Sequence, residues 1–416
     1  MKRLAAQYRN SSEPAYLVLL VLSLSCYLLY QVYWTEPAML FLAGVLPAAN
    51  TALLWFAMVL AALPLILWKR KVWIAVPAAL LFCGAYYLAQ DMAFKRYYLM
   101  LGVFLALLAC GKSYRKILNC FLFCHAGVLL LGALGLAFGF ALDRVKEETY
   151  GTGHSFGIIH PNNFAHIVFL VLVLCWYLYF RRRKWLSFPL FWLAAIPIFT
   201  LCKCRTVTFF LLLFPPISLL SGIQGRKRER TGALPGGLFW WERLLALAPF
   251  LFLALTLFLS SQLELLQKTK DSPLYNMLGR FVQSGVALHY YGFPLKGRII
   301  DTSGALTLVI GGHTQKLHVM DNAYVTYLIE EGVIWLLCVL GWYSAGMRRM
   351  LVKRDYGLLL IAVFMLLLSL MERVGLMAVY NFTALYPLAA IQKKEAPAIG
   401  DLSENGKTAQ EEDGAK

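Results

Sequence analysis

Charge is scarce in this sequence, and acidic charge most of all. Of its 416 residues only 15% are Asp, Glu, Lys or Arg, with 22 acids against 39 bases. A soluble domain carries about 25%. Together with a hydrophobic content of 60%, this deficit excludes an ordinary water-soluble globule. Several chemistries are missing as well. There is no Walker loop, no zinc-ligand spacing and no Asp-x-Asp element, so the sequence offers nothing to a nucleotide sugar, a metal or another cofactor. The nine cysteines form no disulfide framework. Cys26, Cys83, Cys110, Cys175 and Cys338 lie inside apolar runs, where cysteine behaves as a small hydrophobe. Cys202 and Cys204 stand two apart without a partner cluster and read as structural.

What is present is a succession of apolar runs near the ~20 residues that a bilayer core requires. They cover 14–34, 38–67, 72–90, 97–110, 117–141, 162–180, 186–201, 206–222, 244–261, 322–346, 357–371 and 374–391. The pattern predicts an all-α polytopic membrane protein of about twelve spans. The basic segment 1–10 precedes a run too long for a signal-peptide core and without a cleavage site, so 14–34 is expected to be the first span.

The net charge of +17 is not spread as a nucleic-acid surface would be. Lys69-Arg70-Lys71, Lys112/Arg115/Lys116, Arg181–Lys184, Arg226–Arg230 and Arg348/Arg349/Lys353/Arg354 fall in short tracts between apolar runs. Such tracts stay cytoplasmic. Tracts at 181–184 and 226–230 on one side require an even number of spans between them, so 186–222 is expected to be two helices rather than one broken one. With the N-terminus inside, 26 of the 39 bases are cytoplasmic and 13 are outside. Both termini are then expected in the cytoplasm of a multi-pass cell-membrane protein. The tail 392–416 is polar and aperiodic and is expected to be disordered.

Two outer segments break the series. One joins the fifth and sixth spans, 142–163. The other, 262–321, is the longest extramembrane stretch, and loops of that length are usually functional. Within it Leu274, Met277, Leu278, Phe281, Val282 and Val286 recur at helical spacing, which predicts an amphipathic surface helix over 274–291. The stretch 298–319 has β-type runs around Gly311-Gly312 and predicts a small hairpin.

The chemistry-bearing candidates lie on this outer side. Lys203, Arg205, Arg280, Arg298 and Arg373 sit where apolar runs meet it, and a base there must pair, snorkel to head groups or bind an anion. The arginine fork suits phosphate oxygens, at about 1.5–3 kcal/mol per charge-assisted bond. His160-Pro161-Asn162-Asn163 opens the sixth run, either as ordinary helix-entry chemistry or as donors and acceptors for a ligand. His318 and Asp321-Asn322-Ala323-Tyr324 open the tenth. Asp321 is a candidate N-cap, and Asp321 or His318 a candidate general base, improved by a half-dry setting that raises a carboxyl pKa. Glu372-Arg373 closes the eleventh run as adjacent opposite charges. Glu330-Glu331, inside the tenth, has no sequence-level account.

These elements, in this order, resemble the Wzy-type polysaccharide (O-antigen and capsule) polymerases and their relatives, the O-antigen ligases. His160-Pro161-Asn162 resembles an "HPN" element before a span, and Cys204-Arg205-Thr206 an "S-R-T" element at an outer helix mouth. Leu278-Gly279-Arg280-Phe281 resembles the arginine element early in the large loop. Asp321-Asn322-Ala323-Tyr324 with Glu331-Gly332-Val333 resembles "H/D-N-x-Y…G-I". The resemblance covers roughly 150–335, about half of the chain.

It implies a GT-C-like helical glycosyltransferase, metal-independent and inverting, without a cofactor. Donor and acceptor would be glycans on undecaprenyl pyrophosphate, with membrane lipid, a flippase and a chain-length regulator as partners. Arg205 and Arg280 would hold the pyrophosphate, and a base before the tenth span would deprotonate the attacking hydroxyl. Substrate contacts would come from His160, Asn162, Asn163, Asn322, Tyr324, Arg298, Lys203 and Arg373. Two positions depart from the pattern. Cys204 stands where serine is usual, and Asp321 where ligases place histidine, which points towards a polymerase. Transfer of finished glycan by a ligase, or transport by a flippase, are the alternatives. Transport is disfavoured by few mid-span charges and no visible internal repeat.

Overall fold

The computed structural model describes residues 17–35 (except 19, 23, 26 and 30), 113–148, 151–180, 185, 187–230, 240–267, 275–301, 303–310, 313–318 and 320–389. The runs at 38–67, 72–90 and 97–110 and the tail 392–416 lie outside the described residues.

The described chain is mostly helical. Helix α1 (Tyr114–Ala137) buries Ile117, Leu118, Phe121, Cys124, His125 and Val128, which fall on one helical face, and leaves Phe123, Leu130 and Leu134 exposed. It packs against α2 (Pro161–Cys175), which continues as a π turn to Phe180. By length and composition these two helices, over Tyr114–Ala137 and Pro161–Phe180, are long and apolar enough to cross a membrane. Helices α3 (Ser187–Thr200) and α4 (Arg205–Arg230) form a tightly packed pair. The turn at 201–204 between them passes through a left-handed Lys203, φ 57°. The 186–222 region is thus two helices, as loop charge requires.

Next come α5 (Trp240–Ala246), α6 (Ala248–Ser261), the short α7 (Leu263–Gln267) and α8 (Tyr275–Tyr291). Phe281, Val282, Val286 and Ala287 of α8 are buried against the protein body, α6 included. The amphipathic spacing in the long loop therefore serves protein packing. Two antiparallel hairpins are present. Strands β1 (Lys146–Glu148) and β2 (Gly151–Gly153) pair within the segment 142–163, which the sequence did not foretell. Strands β3 (Thr307–Ile310) and β4 (His313–Lys316) form the hairpin expected around 311–312.

Two predicted spans are redrawn. The run 322–346 is not one helix. It divides into α9 (Ala323–Glu330) and α10 (Val333–Val352) at Gly332, whose φ of 95° disfavours any residue with a side chain. The loop 294–298 docks into this break. The Arg298 amide donates to Ile329 O at 2.7 Å, and the Val333 amide to Pro294 O at 2.9 Å. The run 374–391 is likewise not an α-helix. After α11 (Tyr356–Met371) the chain takes two 3₁₀ turns, Arg373–Leu376 and Phe382–Leu385. Asn381 explains this locally. Its amide donates to Gly375 O at 2.7 Å and its carbonyl accepts from Thr383, competing with the helical ladder.

Candidate functional site

The ends of α9 and α11 are tied together by one side chain. Asn322, not Asp321, is the N-cap of α9. Its carbonyl oxygen accepts from Val325 N at 3.0 Å, and its Nδ2 donates to Leu370 O at 2.8 Å. The expectation that Asp321 caps the helix is therefore corrected: capping needs the side chain one residue further on. Released from that duty, Asp321 stands beside Glu372, the residue that ends α11.

Arg280 of α8 lies between them. Its Nη1 donates to Glu372 Oε1 at 2.7 Å and to Met371 O, and its Nε is 3.6 Å from Asp321 Oδ2. Thr206, at the start of α4, hydrogen-bonds the same Glu372 carboxylate. Side-chain exposure falls from 35% at Asp321 to 19% at Arg280 and 7% at Glu372. The cluster thus has a wet end and a dry end. His166 of α2 and Lys146 of β1 complete its electrostatic surroundings: His166 is within range of Arg280 and Asp321, and Lys146 of Asp321 and Glu372.

One guanidinium serves two carboxylates, which decides the protonation balance. Arg280 is pushed up from its ordinary value: desolvation opposes the charge, but Glu372 and Asp321 outweigh it. The acids are not equally compensated. Asp321 is pushed up to about 6, first by burial and then by the charge of Glu372, against the pull of Arg280. Burial likewise raises Glu372 in spite of its Arg280 partner. Two acids around one cation give up a proton less readily than isolated carboxylates. Asp321, open to water, is placed to exchange it. Burial, then Glu372, also pushes up the Cys204 thiol, and Cys202 is pushed up to about 12. Both cysteines are buried structural thiols at the α3–α4 turn.

The other candidate residues fall elsewhere. Arg205 opens α4 next to Thr206 with an exposed side chain. Lys203 is half-buried in the preceding turn. His160 caps α2, its Nδ1 accepting from Asn162 N at 3.1 Å. Asn163 donates to Gln31 Oε1 at 2.9 Å, and Asn162 is half-buried. Tyr324 is fully buried and donates to Leu366 O at 3.3 Å. Arg298 has an exposed side chain. His318 is exposed, and its amide donates to Gln283 Oε1 at 3.2 Å.

Arg373 does not neutralise its neighbour Glu372. It pairs with Glu330, which accounts for that acid in the middle of an apolar run. The 3₁₀ turn after Met371 sends the two adjacent charges to different partners. Sequence reasoning missed Glu372 as the partner of Arg280, Thr206 as its support, and His166. A histidine one turn beyond Asn162 in an apolar run was the available signal for the last. Among the described residues no cluster of three or more His, Cys, Asp or Glu side chains is placed to hold a metal ion.

In the segment 142–163 a second acid is well satisfied. Asp143 accepts from His154 Nδ1 at 2.6 Å, Ser155 N at 2.8 Å and Phe156 N at 2.9 Å. Desolvation opposes its charge, but these bonds outweigh it and hold the carboxyl below its usual range. The pair closes the loop that carries Lys146 and leads to His160. No family model, curated protein or solved structure matches the chain.

Proposed function

We propose that this chain polymerises oligosaccharide repeat units carried on undecaprenyl pyrophosphate, at the outer face of the cytoplasmic membrane. In this reading it is a multi-pass protein of about twelve spans, GT-C-like, with both termini in the cytoplasm and 262–321 outside. The product is a capsular, exopolysaccharide or O-antigen chain. The observation that carries the proposal is the placing of Arg280 between Asp321 and Glu372 beside Thr206. All four residues come from segments that loop charge assigns to the outer side. The exposed apolar surface of α1, α3 and α6, including Phe123, Leu130, Leu193, Ile196 and Phe258, supports a lipid surround.

The chemistry follows from the wet and dry ends. Asp321, ionised and facing water, takes the proton of an acceptor sugar hydroxyl. The hydroxyl oxygen attacks the anomeric carbon of the donor glycan, and the bond from that carbon to the pyrophosphate oxygen breaks with inversion. The departing pyrophosphate keeps the electron pair. Arg280 has five N–H donors; Nη1 and Nε face Met371, Glu372 and Asp321, and among the described residues Nη2 donates to no group. That edge, with Arg205 at the rim, stabilises the developing charge. Glu372 fixes the guanidinium in place, so the cation needs no reorganisation as the bond breaks.

Reconstitution of the purified chain with lipid-linked repeats tests this. A ladder of lipid-linked multiples supports polymerisation. Movement of single repeats across the bilayer without a ladder identifies a flippase, and transfer of preformed glycan to another acceptor identifies a ligase. Either result rejects the proposal.

A further inference from the structure

His166 is the residue around the cluster whose state the fold alone does not explain. It sits in α2, 3% exposed, and neither ring nitrogen makes a well-formed hydrogen bond among the described residues, although the backbone of Asn162, one turn back, acts on the ring. A neutral imidazole carries one donor and one acceptor, and buried polar groups are normally paired. The Asn162 backbone can satisfy one nitrogen at most, so a polar atom is left unmet inside the protein, at a cost that an apolar residue of similar size would avoid. The position is not remote from chemistry. His166 lies within electrostatic range of Arg280 and Asp321. It is five residues beyond Pro161, ~7.5 Å along the helix axis at 1.5 Å per residue. The α2 helix also packs on α4, whose first turn supplies Thr206 to Glu372. An imidazole with at least one unmet nitrogen is thus held within electrostatic range of a guanidinium whose Nη2 edge is itself without a partner among the described residues.

We infer that His166 is a substrate-binding residue that donates an N–H to a phosphate oxygen of the lipid-linked pyrophosphate, from deeper along α2 than Arg280. The inference rests on the proposed function and extends it by naming how the head group is gripped at its lipid end. Beside Arg280 the imidazole serves as a neutral donor: a second full cation there would repel the guanidinium, whereas a neutral N–H adds a bond and a direction. The proposal also explains why at least one ring nitrogen faces no protein partner. Its partner arrives with the substrate.

The test uses the full-length chain in nanodiscs and two probes, undecaprenyl pyrophosphate and undecaprenol. His166→Leu is expected to weaken the pyrophosphate at least about tenfold, the loss of one hydrogen bond to a charged group, and to leave undecaprenol binding unchanged. His166→Gln, which keeps an N–H, is expected to retain most of the affinity. Unchanged pyrophosphate affinity in His166→Leu overturns the inference, and so does an equal loss for both lipids, the mark of a structural role. Should His166→Leu fail to fold, wild-type protein labelled with nitrogen-15 at histidine decides. The His166 ring signal, assigned with His166→Gln, must shift with undecaprenyl pyrophosphate and not with undecaprenol. Wild-type protein that binds the two lipids alike rejects the proposed function itself. Ladder formation with a silent His166 rejects only the inference.

Discussion

Removing Arg280 should damage stability and activity by separable routes. In Arg280→Ala, Glu372 keeps its 7% exposure and its Thr206 bond but loses its cation, while Asp321 still faces it. Breaking a buried pair from one side costs about 3–5 kcal/mol. Glu372 has a partial escape, because burial already pushes its carboxyl up and it can take a proton. The expected loss is therefore near the lower end, about 3 kcal/mol. Arg280→Met with Glu372→Gln removes the buried pair at similar volume and should recover most of that loss, since no buried charge is stranded and Asp321, which also loses its cation, keeps its contact with water. Unfolding of the purified variants in detergent, titrated with a denaturing surfactant, measures the cycle. Ladder synthesis should be absent from all these variants, however stable. If Arg280→Ala unfolds like wild type, or the double variant is no more stable than Arg280→Ala, Arg280–Glu372 is not the dominant pair and the electrostatic reasoning fails.

Other outcomes follow from the same geometry. The raised Asp321 carboxyl contributes stability that is fully present below its ordinary pKa and is lost as pH rises through about 6. Its proposed use as a base runs the other way, so ladder rate should climb through about pH 6. Asp321→Asn should flatten that part of the stability profile and lose ~10²–10⁴ in rate. A wild-type rate in this variant would transfer the base assignment to His318. Arg373→Ala strands Glu330, 6% exposed, and should lower unfolding stability while leaving undecaprenyl pyrophosphate affinity unchanged; a selective affinity loss would return Arg373 to the substrate site. Gly332→Ala forces a side chain into φ 95° and onto Leu295 O, at about 1–3 kcal/mol for the backbone alone. A neutral result in the same unfolding titration would mean that the α9–α10 break is not held by the 294–298 loop.

The sequence carried the helical class, the separation of α3 from α4 and the β3–β4 hairpin, because each rests on local pattern or on loop charge. It also singled out Arg280 and Asp321, since charges at apolar boundaries stand out against an uncharged background. It was silent where partners are distant in sequence. Glu372 and Arg373 read as a neutral dipeptide, and only the 3₁₀ turn after Met371 shows them pointing to Arg280 and Glu330. The break at Gly332 was hidden for a similar reason. An apolar run reads as one span, and the loop carbonyls and amides that dock at the break lie more than thirty residues upstream. Asn381 turned a twelfth apolar run into 3₁₀ structure through side-chain bonds that a hydropathy reading does not register.

The most direct test of the central claim sets wild type against Asp321→Asn in vesicles loaded with undecaprenyl-pyrophosphate-linked repeats. Wild type should build a ladder and release undecaprenyl pyrophosphate, one per linkage formed. The variant, folded and still binding the lipid, should leave single repeats intact. Equal ladders from both proteins, or single repeats left unjoined by the wild type, would contradict the account.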